Sequence, residues 1–164
     1  MLLSLPFILS CEKAGFFKKH HHKVTLPFKA TFLTTLSGLD PSQCGADTTF
    51  ALNTQEGYGS EEHFGNFTTK LTFCVNLANL EYDNVQGSFV FENGDEIFVT
   101  GGGQVVPSDD PNYALMFKDP FKITGGTGRF KGAKGEGMTN SYVDFNIFQT
   151  DHVWSGEITL YKDR

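Results

Sequence analysis

An all-β chain closed into an antiparallel barrel of about eight strands is the fold this sequence predicts, and three observations carry it. Apolar and polar residues alternate with period two along most of the chain, and no stretch keeps a helical period across three turns. Seventeen Phe and eighteen Gly against three Met and one Trp suit pleated, half-buried strands better than helices. Clusters of Gly, Asn, Asp and Pro separate the alternating runs at short intervals, and many short antiparallel strands remove their exposed edges by closing. At 164 residues the chain has the length of one domain with a sizeable core.

The elements follow in order. From Val24, one phase of the first strand holds Leu26, Phe28, Ala30 and Phe32, and the other holds Pro27, Lys29, Thr31 and Leu33. Residues 38–45 (GLDPSQCG) form a turn-rich segment, and Asp47 to Leu52 suits a short strand. Glu61 to Ala78 reads as the clearest long strand, with Phe67, Thr69, Leu71, Phe73 and Val75 inward and Cys74 on the polar-facing phase. Val85–Phe91 and Glu96–Thr100 flank Glu92-Asn93-Gly94-Asp95, whose Asn-Gly pair predicts a type I′ hairpin. Gly101-Gly102-Gly103 implies a bulge, a bend or a close backbone approach in the return strand. Residues 107–112 (PSDDPN) form a polar loop, and Tyr113–Thr124 is a strand broken at Asp119-Pro120. Val143, Phe145 and Ile147 alternate in the next strand, and Trp154, Gly156, Ile158 and Leu160 in the last.

The chain divides into residues 1–10, a signal-peptide remnant, residues 11–23, a lipidated cysteine and flexible tether, and residues 24–164, a single barrel domain. Leu2 to Leu9 has the length of a signal-peptide apolar region, although no basic residue stands before it. Ile8-Leu9-Ser10-Cys11 resembles a lipobox, which implies acyl chains on Cys11 and a membrane-anchored protein of a bacterial cell envelope, on the outer membrane or the periplasmic face. With Cys11 so used, Cys44 and Cys74 remain, and an even pair in an exported chain reads as a disulfide rather than as two free buried thiols. In the tether, Lys18, Lys19 and Lys23 suit anionic headgroups. His20, His21 and His22 have no fixed geometry and no Cys or carboxylate to complete a ligand set, so no metal site and no cofactor is expected. The formal net charge of −6 excludes the basic footprint of a nucleic-acid binder, and no apolar run is long enough to span a membrane as a helix.

Residues 125–137, GGTGRFKGAKGEG, raise the question of a phosphate cradle. A dinucleotide fingerprint starting at Gly126 and Gly128 needs glycine where Lys131 stands, and no Gly-Lys pair exists to make a P-loop. The motif therefore reads as scaffold: Gly125, Gly126, Thr127, Gly128, Arg129, Phe130, Ala133 and Gly135 form a short turn against the barrel end. Phe130 and Ala133 tuck inward, and Arg129 meets carbonyls or a carboxylate. Residues 121–137 resemble the GGTG-x-F-x-x-A-x-G signature of the allene oxide cyclase and dirigent barrels and of related bacterial proteins. His63-Phe-Gly-Asn-Phe67 is similar to their T-H-L-G-x-F stretch, with Glu62 and Phe64 in place of its Thr and Leu. The resemblance covers most of residues 24–161 and implies an eight-stranded antiparallel barrel; it carries no catalytic residue onto this chain.

Among titratable groups, His63, His152, Asp144, Glu157, Tyr142 and Arg129 stand out. His63 shares phase with Phe67 and Leu71 and is the candidate polar group at a cavity mouth, with a structural role as the alternative. Asp151-His152 suits a turn, Asp144 and Glu157 suit solvent, and Asp109, Asp110 and Asn112 suit a polar loop better than a Ca²⁺ loop. No nucleophile–base arrangement is evident. The expected function is a non-catalytic, lipid-anchored module binding a small apolar ligand or a protein partner. The alternative is a cyclase- or isomerase-like enzyme with a hydrophobic substrate inside the barrel, which calls for a cavity of some hundreds of Å³.

Overall fold

The computed structural model describes residues 22–45 and 49–162. The readings on residues 1–10, Cys11, His20 and His21 lie outside those residues. Ten strands appear: β1 (His22–Asp40), β2 (Phe50–Glu61), β3 (Gly65–Asn76), β4 (Glu81–Phe91), β5 (Glu96–Gln104), β6 (Val106–Pro107), β7 (Leu115–Phe117), β8 (Pro120–Gly126), β9 (Lys134–Asp144) and β10 (Gln149–Lys162). A single 3-10 turn, Gly128–Phe130, separates β8 from β9.

Eight of the strands close a ring in the order β1-β2-β3-β4-β5-β8-β9-β10, and β10 returns to β1 over fourteen paired positions from His22↔Lys162 to Thr35↔Gln149. All pairings are antiparallel. The short β6 and β7 pair with each other, and β7 also pairs with β9, so they extend the wall above the break at Lys118-Asp119. Asp119 is fixed at that break by Thr139, whose hydroxyl and amide both meet the Asp119 carbonyl, at 3.0 and 2.9 Å. Both described chain ends lie at the end of the barrel that carries the 3-10 turn, the lower end below; the β9–β10 turn marks the upper end.

An eight-stranded barrel encloses a volume that side chains can fill, and the inward phases fill it with aromatic rings. Phe28, Phe32, Phe67, Phe89, Phe121 and Trp154 are all buried. Phe67 stacks on Phe89 with centroids 4.5 Å apart, Phe32 meets Phe89 edge-on at 5.3 Å, and Phe121 stacks on Trp154 at 4.9 Å. Such pairs add about 0.5–1.5 kcal/mol beyond their area burial. A smaller cluster of Phe73, Val75, Tyr82, Val85 and Val105 fills the upper part beside β3, β4 and β5.

Cys44 and Cys74 form the expected disulfide, which ties the β1–β2 connection to the outside of β3 across a sequence separation of 30 residues. Closing a loop of that size removes about 3–4 kcal/mol of unfolded-chain entropy.

His22 and Lys23 already pair with β10. Three expectations are corrected. The expected strand over Glu61–Ala78 is two elements: Glu61 ends β2, a turn follows, and β3 starts at Gly65. The missing part of β2 gave no apolar alternation because its inward positions are Asn53, Gln55, Gly57, Gly59 and Glu61, none of which carries an apolar side chain. The Glu92–Asp95 hairpin exists, but only Gly94 has positive φ (82°), and its amide bonds the Phe91 carbonyl at 2.9 Å. That is a type I turn closed by a left-handed glycine, with a three-residue loop. Finally, β9 ends at Asp144, and Phe145 and Ile147 sit exposed in the β9–β10 turn instead of lining a strand.

Truncating Phe89, which is 0% exposed, is expected to cost about 3–5 kcal/mol. Urea unfolding of Phe89→Ala should show a lower midpoint at unchanged slope.

Candidate functional site

The upper interior is polar on one side and apolar on the other. On the polar side β1, β2, β9 and β10 aim Thr34, Gln55, Ser141 and His152 inward, and all four are buried. Their hydrogen bonds run in one direction. The Thr34 hydroxyl donates to Gln55 Oε1 at 2.7 Å, so its oxygen accepts from His152 Nε2–H at 2.9 Å. His152 Nδ1 then carries no proton and accepts from the Ser141 hydroxyl at 2.8 Å. Ser141 Oγ in turn accepts from Trp154 Nε1–H at 3.2 Å. Every hydroxyl in the chain donates once and accepts once, which is what a buried polar group requires.

His152 is neutral in this arrangement. Burial lowers its pKa from 6.5 to about 3, and Phe32 stacks on its ring at a centroid distance of 4.3 Å. Across the interior Tyr82 donates to Asp119 Oδ2 at 2.8 Å; burial first and that carboxylate second push the phenol pKa far up, so Tyr82 stays protonated.

Between these walls lies a cavity of about 40 Å³, bordered by Gln55, Phe73, Tyr82, Ser141, His152 and Trp154. A water needs roughly 10–15 Å³ measured this way, so the space suits a few waters; ligand clefts run to about 300–1,000 Å³. Ser141 beside a neutral histidine has the composition of a nucleophile–base pair, but the hydroxyl is 1% exposed and held by Trp154.

The structure places the sequence-predicted residues as follows. His63 lies in the β2–β3 turn with its side chain 38% exposed, 3.5 Å from Glu61 Oε1. It is not at a cavity mouth, because the turn carries it off the inward phase of β3. The residue that organises this turn is Glu61, whose buried carboxylate accepts the amides of Lys29, His63 and Phe64 at 3.1, 2.7 and 2.9 Å. The interior histidine is His152, which sits within β10 and not in a turn. Its signal was present: it keeps the inward phase of Trp154, Ile158 and Leu160.

The glycine motif closes the lower end. Thr127 exchanges two hydrogen bonds with Glu96, each 2.9 Å. Gly128 has φ 51°, and a Cβ there would stand 1.7 Å from Asp95 Oδ1. Phe130 and Ala133 are fully buried. Arg129 lies over Phe64, Phe91 and Phe130, at 4.8–5.4 Å from their centroids, donates to the Phe64 carbonyl at 3.2 Å and meets Asp95 at 3.4 Å. Gly125 pairs with Phe98, Gly126 ends β8 opposite Ile97, and Gly135 lies in β9 where a Cβ would meet the Glu157 carbonyl.

Of the remaining candidates, Tyr142 donates to Asp109 at 3.0 Å, Asp110 binds Asn112 within its own loop at 2.9 Å, Asp144 is half-buried and Glu157 faces solvent. Among the described residues no group of three His, Cys, Asp or Glu side chains is placed to hold a metal ion.

A closed antiparallel eight-stranded barrel with a glycine-built plug at one end has a dirigent-like fold. Two solved structures match it over nearly their whole length. The pterocarpan synthase dirigent protein GePTS1 aligns with TM-score 0.56 and 12% identity, covering 91% of each chain. The pterocarpan synthase dirigent protein PsPTS1 aligns with TM-score 0.54 and 12% identity, covering 89% of this chain and 99% of its own. The likeness is one of fold. No protein-family model matches the chain, and no curated protein matches it in sequence.

The low pKa of His152 makes stability pH-dependent. Unfolded, the imidazole takes a proton below 6.5; folded, it stays neutral down to about 3. Its contribution is therefore complete above pH 6.5 and is lost as pH falls toward 3, by roughly 1 kcal/mol per pH unit. Urea midpoints measured from pH 7 to pH 5 should decline on that slope, before the carboxylates titrate; a flat profile would contradict the neutral, buried imidazole.

Proposed function

We propose that this protein is a lipid-anchored binding module of a bacterial cell envelope that meets its partner on the outside of the barrel. The observation that carries this reading is the filled interior, where about 40 Å³ remains open. Three features support the placement. The lipobox-like Ile8-Leu9-Ser10-Cys11 precedes the first strand by a short tether. The Cys44–Cys74 disulfide suits an oxidising compartment. The described chain starts at the lower end, where Lys23, Lys131 and Lys134 are exposed and suited to anionic headgroups.

A cyclase- or isomerase-like activity within the barrel is the second reading. The inward polar wall of Gln55, Ser141 and His152 favours it, and the two similar structures are described as pterocarpan synthases. A panel of apolar ligands separates the two. A ligand at one hundred times its Kd adds about 2.7 kcal/mol of stability. A thermal shift in the wild type that disappears in Val85→Phe, a substitution that fills the cavity, would favour interior binding; no shift across the panel agrees with the outward reading.

Mass spectrometry of the membrane fraction should find Cys11 acylated, and Cys11→Ser should move the protein to the soluble fraction. An unmodified Cys11 in a cytosolic protein would overturn the anchoring.

A further inference from the structure

Tyr58 is 63% exposed, more than any other large hydrophobic side chain among the described residues. It stands within β2 rather than at a turn, and its phenol makes no hydrogen bond among the described residues. Its neighbours explain its setting. Gly57 and Gly59 face inward, where a Cβ would stand 1.8 Å from the Leu33 carbonyl and 2.2 Å from Phe32 Cβ. Without side chains at those two positions β2 presses against β1. Two shallow, open grooves meet at Tyr58, a smaller one toward β1, β9 and β10 and a larger one toward β3 and β4.

The larger groove has an ordered chemical layout. The pairing Tyr58↔Thr68↔Val90 makes one row across three strands, and Ser60↔Asn66 leads to Glu92 in the next. Asn66 Nδ2 donates to Glu92 Oε1 at 2.9 Å, which leaves the second carboxylate oxygen and the amide carbonyl facing outward as acceptors. The Ser60 and Thr68 hydroxyls make no side-chain hydrogen bond among the described residues, and both side chains are exposed. With strands about 4.8 Å apart, an aromatic face and a set of hydroxyl, amide and carboxylate groups share a strip about 10 Å wide.

We propose that this groove binds a neutral oligosaccharide, one sugar ring lying on Tyr58 and its hydroxyls bonding to Ser60, Asn66, Thr68 and Glu92. A pyranose has a face of C–H groups and a rim of hydroxyls. It needs an apolar plate beside hydrogen-bonding groups, which a purely apolar ligand would leave unpaired. Glu92 and the net charge of −6 disfavour uronic or sulfated chains. The proposal rests on the outward-facing reading above; acylated Cys11 without saccharide binding would remove only the saccharide.

The test is calorimetric titration of the full chain with four neutral hexasaccharides, of the cello-, xylo-, chito- and manno- series. At least one should saturate. Tyr58→Ala should weaken it at least about tenfold, as loss of a central aromatic anchor does, with an unchanged melting temperature. Tyr58→Phe should bind like the wild type, and Asn66→Ala should weaken binding by a smaller factor. Binding by none of the four at millimolar concentration, or binding indifferent to Tyr58→Ala, overturns the proposal. A wild-type oligomer that Tyr58→Ala converts to monomer overturns it too, because a second copy then occupies the groove.

Discussion

An interior just wide enough to be filled governs this molecule. Closing eight antiparallel strands leaves the ring without a free edge, but it also commits the inward residue of each strand to one shared space. Phenylalanine dominates that space. The rings of Phe28, Phe32, Phe67 and Phe89 touch in sequence across β1, β3 and β4, and Phe121 and Trp154 complete the packing from β8 and β10. Where two neighbouring strands both need room, glycine yields it: a Cβ on Gly87 would come within 2.5 Å of Leu71 and 2.8 Å of Val99.

The same constraint explains the polar wall. A side chain that points inward has no water to turn to, so most polar groups there find a partner; the buried Thr69 hydroxyl is left without one. Thr34, Gln55, His152, Ser141 and Trp154 form a chain in which direction propagates from one hydroxyl to the next. Changing one member would orphan its neighbours, and burial keeps the His152 imidazole neutral. The small cavity beside it lies where this wall faces Phe73 and Tyr82. Outside this committed interior, Phe145, Ile147 and Phe148 stand exposed in the β9–β10 turn.

The two ends of the barrel are closed by different means. Below, a cationic side chain and three aromatic rings hold a turn that glycine makes narrow enough to fit, and Phe130 plugs the opening. Above, the β6–β7 segment folds onto β9 and β10, with Tyr113 donating to Asp151 at 2.7 Å and Tyr142 to Asp109 at 3.0 Å. Tyr113 is held protonated by its hydrogen bond to Asp151, with its pKa raised to about 12, so this closure keeps its donors across the neutral range.

Alternation by itself determined the all-β class, the inward faces of β1, β3, β4 and β10, and the break at Asp119-Pro120, because a period of two maps directly onto the two faces of a strand. Turn chemistry likewise sufficed for a hairpin around Asn93-Gly94, while the disulfide followed from the cysteines only once Cys11 was set apart. Tertiary structure decided what local pattern cannot encode. The second half of β2 has no apolar phase, and its strand state comes from pairing with β1 and β3. His63 shares the inward phase of Phe67 and Leu71 in sequence, and the turn between β2 and β3 carries it to the surface. Hydrogen-bond partners more than a hundred residues apart, such as Thr34 and His152, are joined by the ring and not by the chain, so no local sequence window contains them.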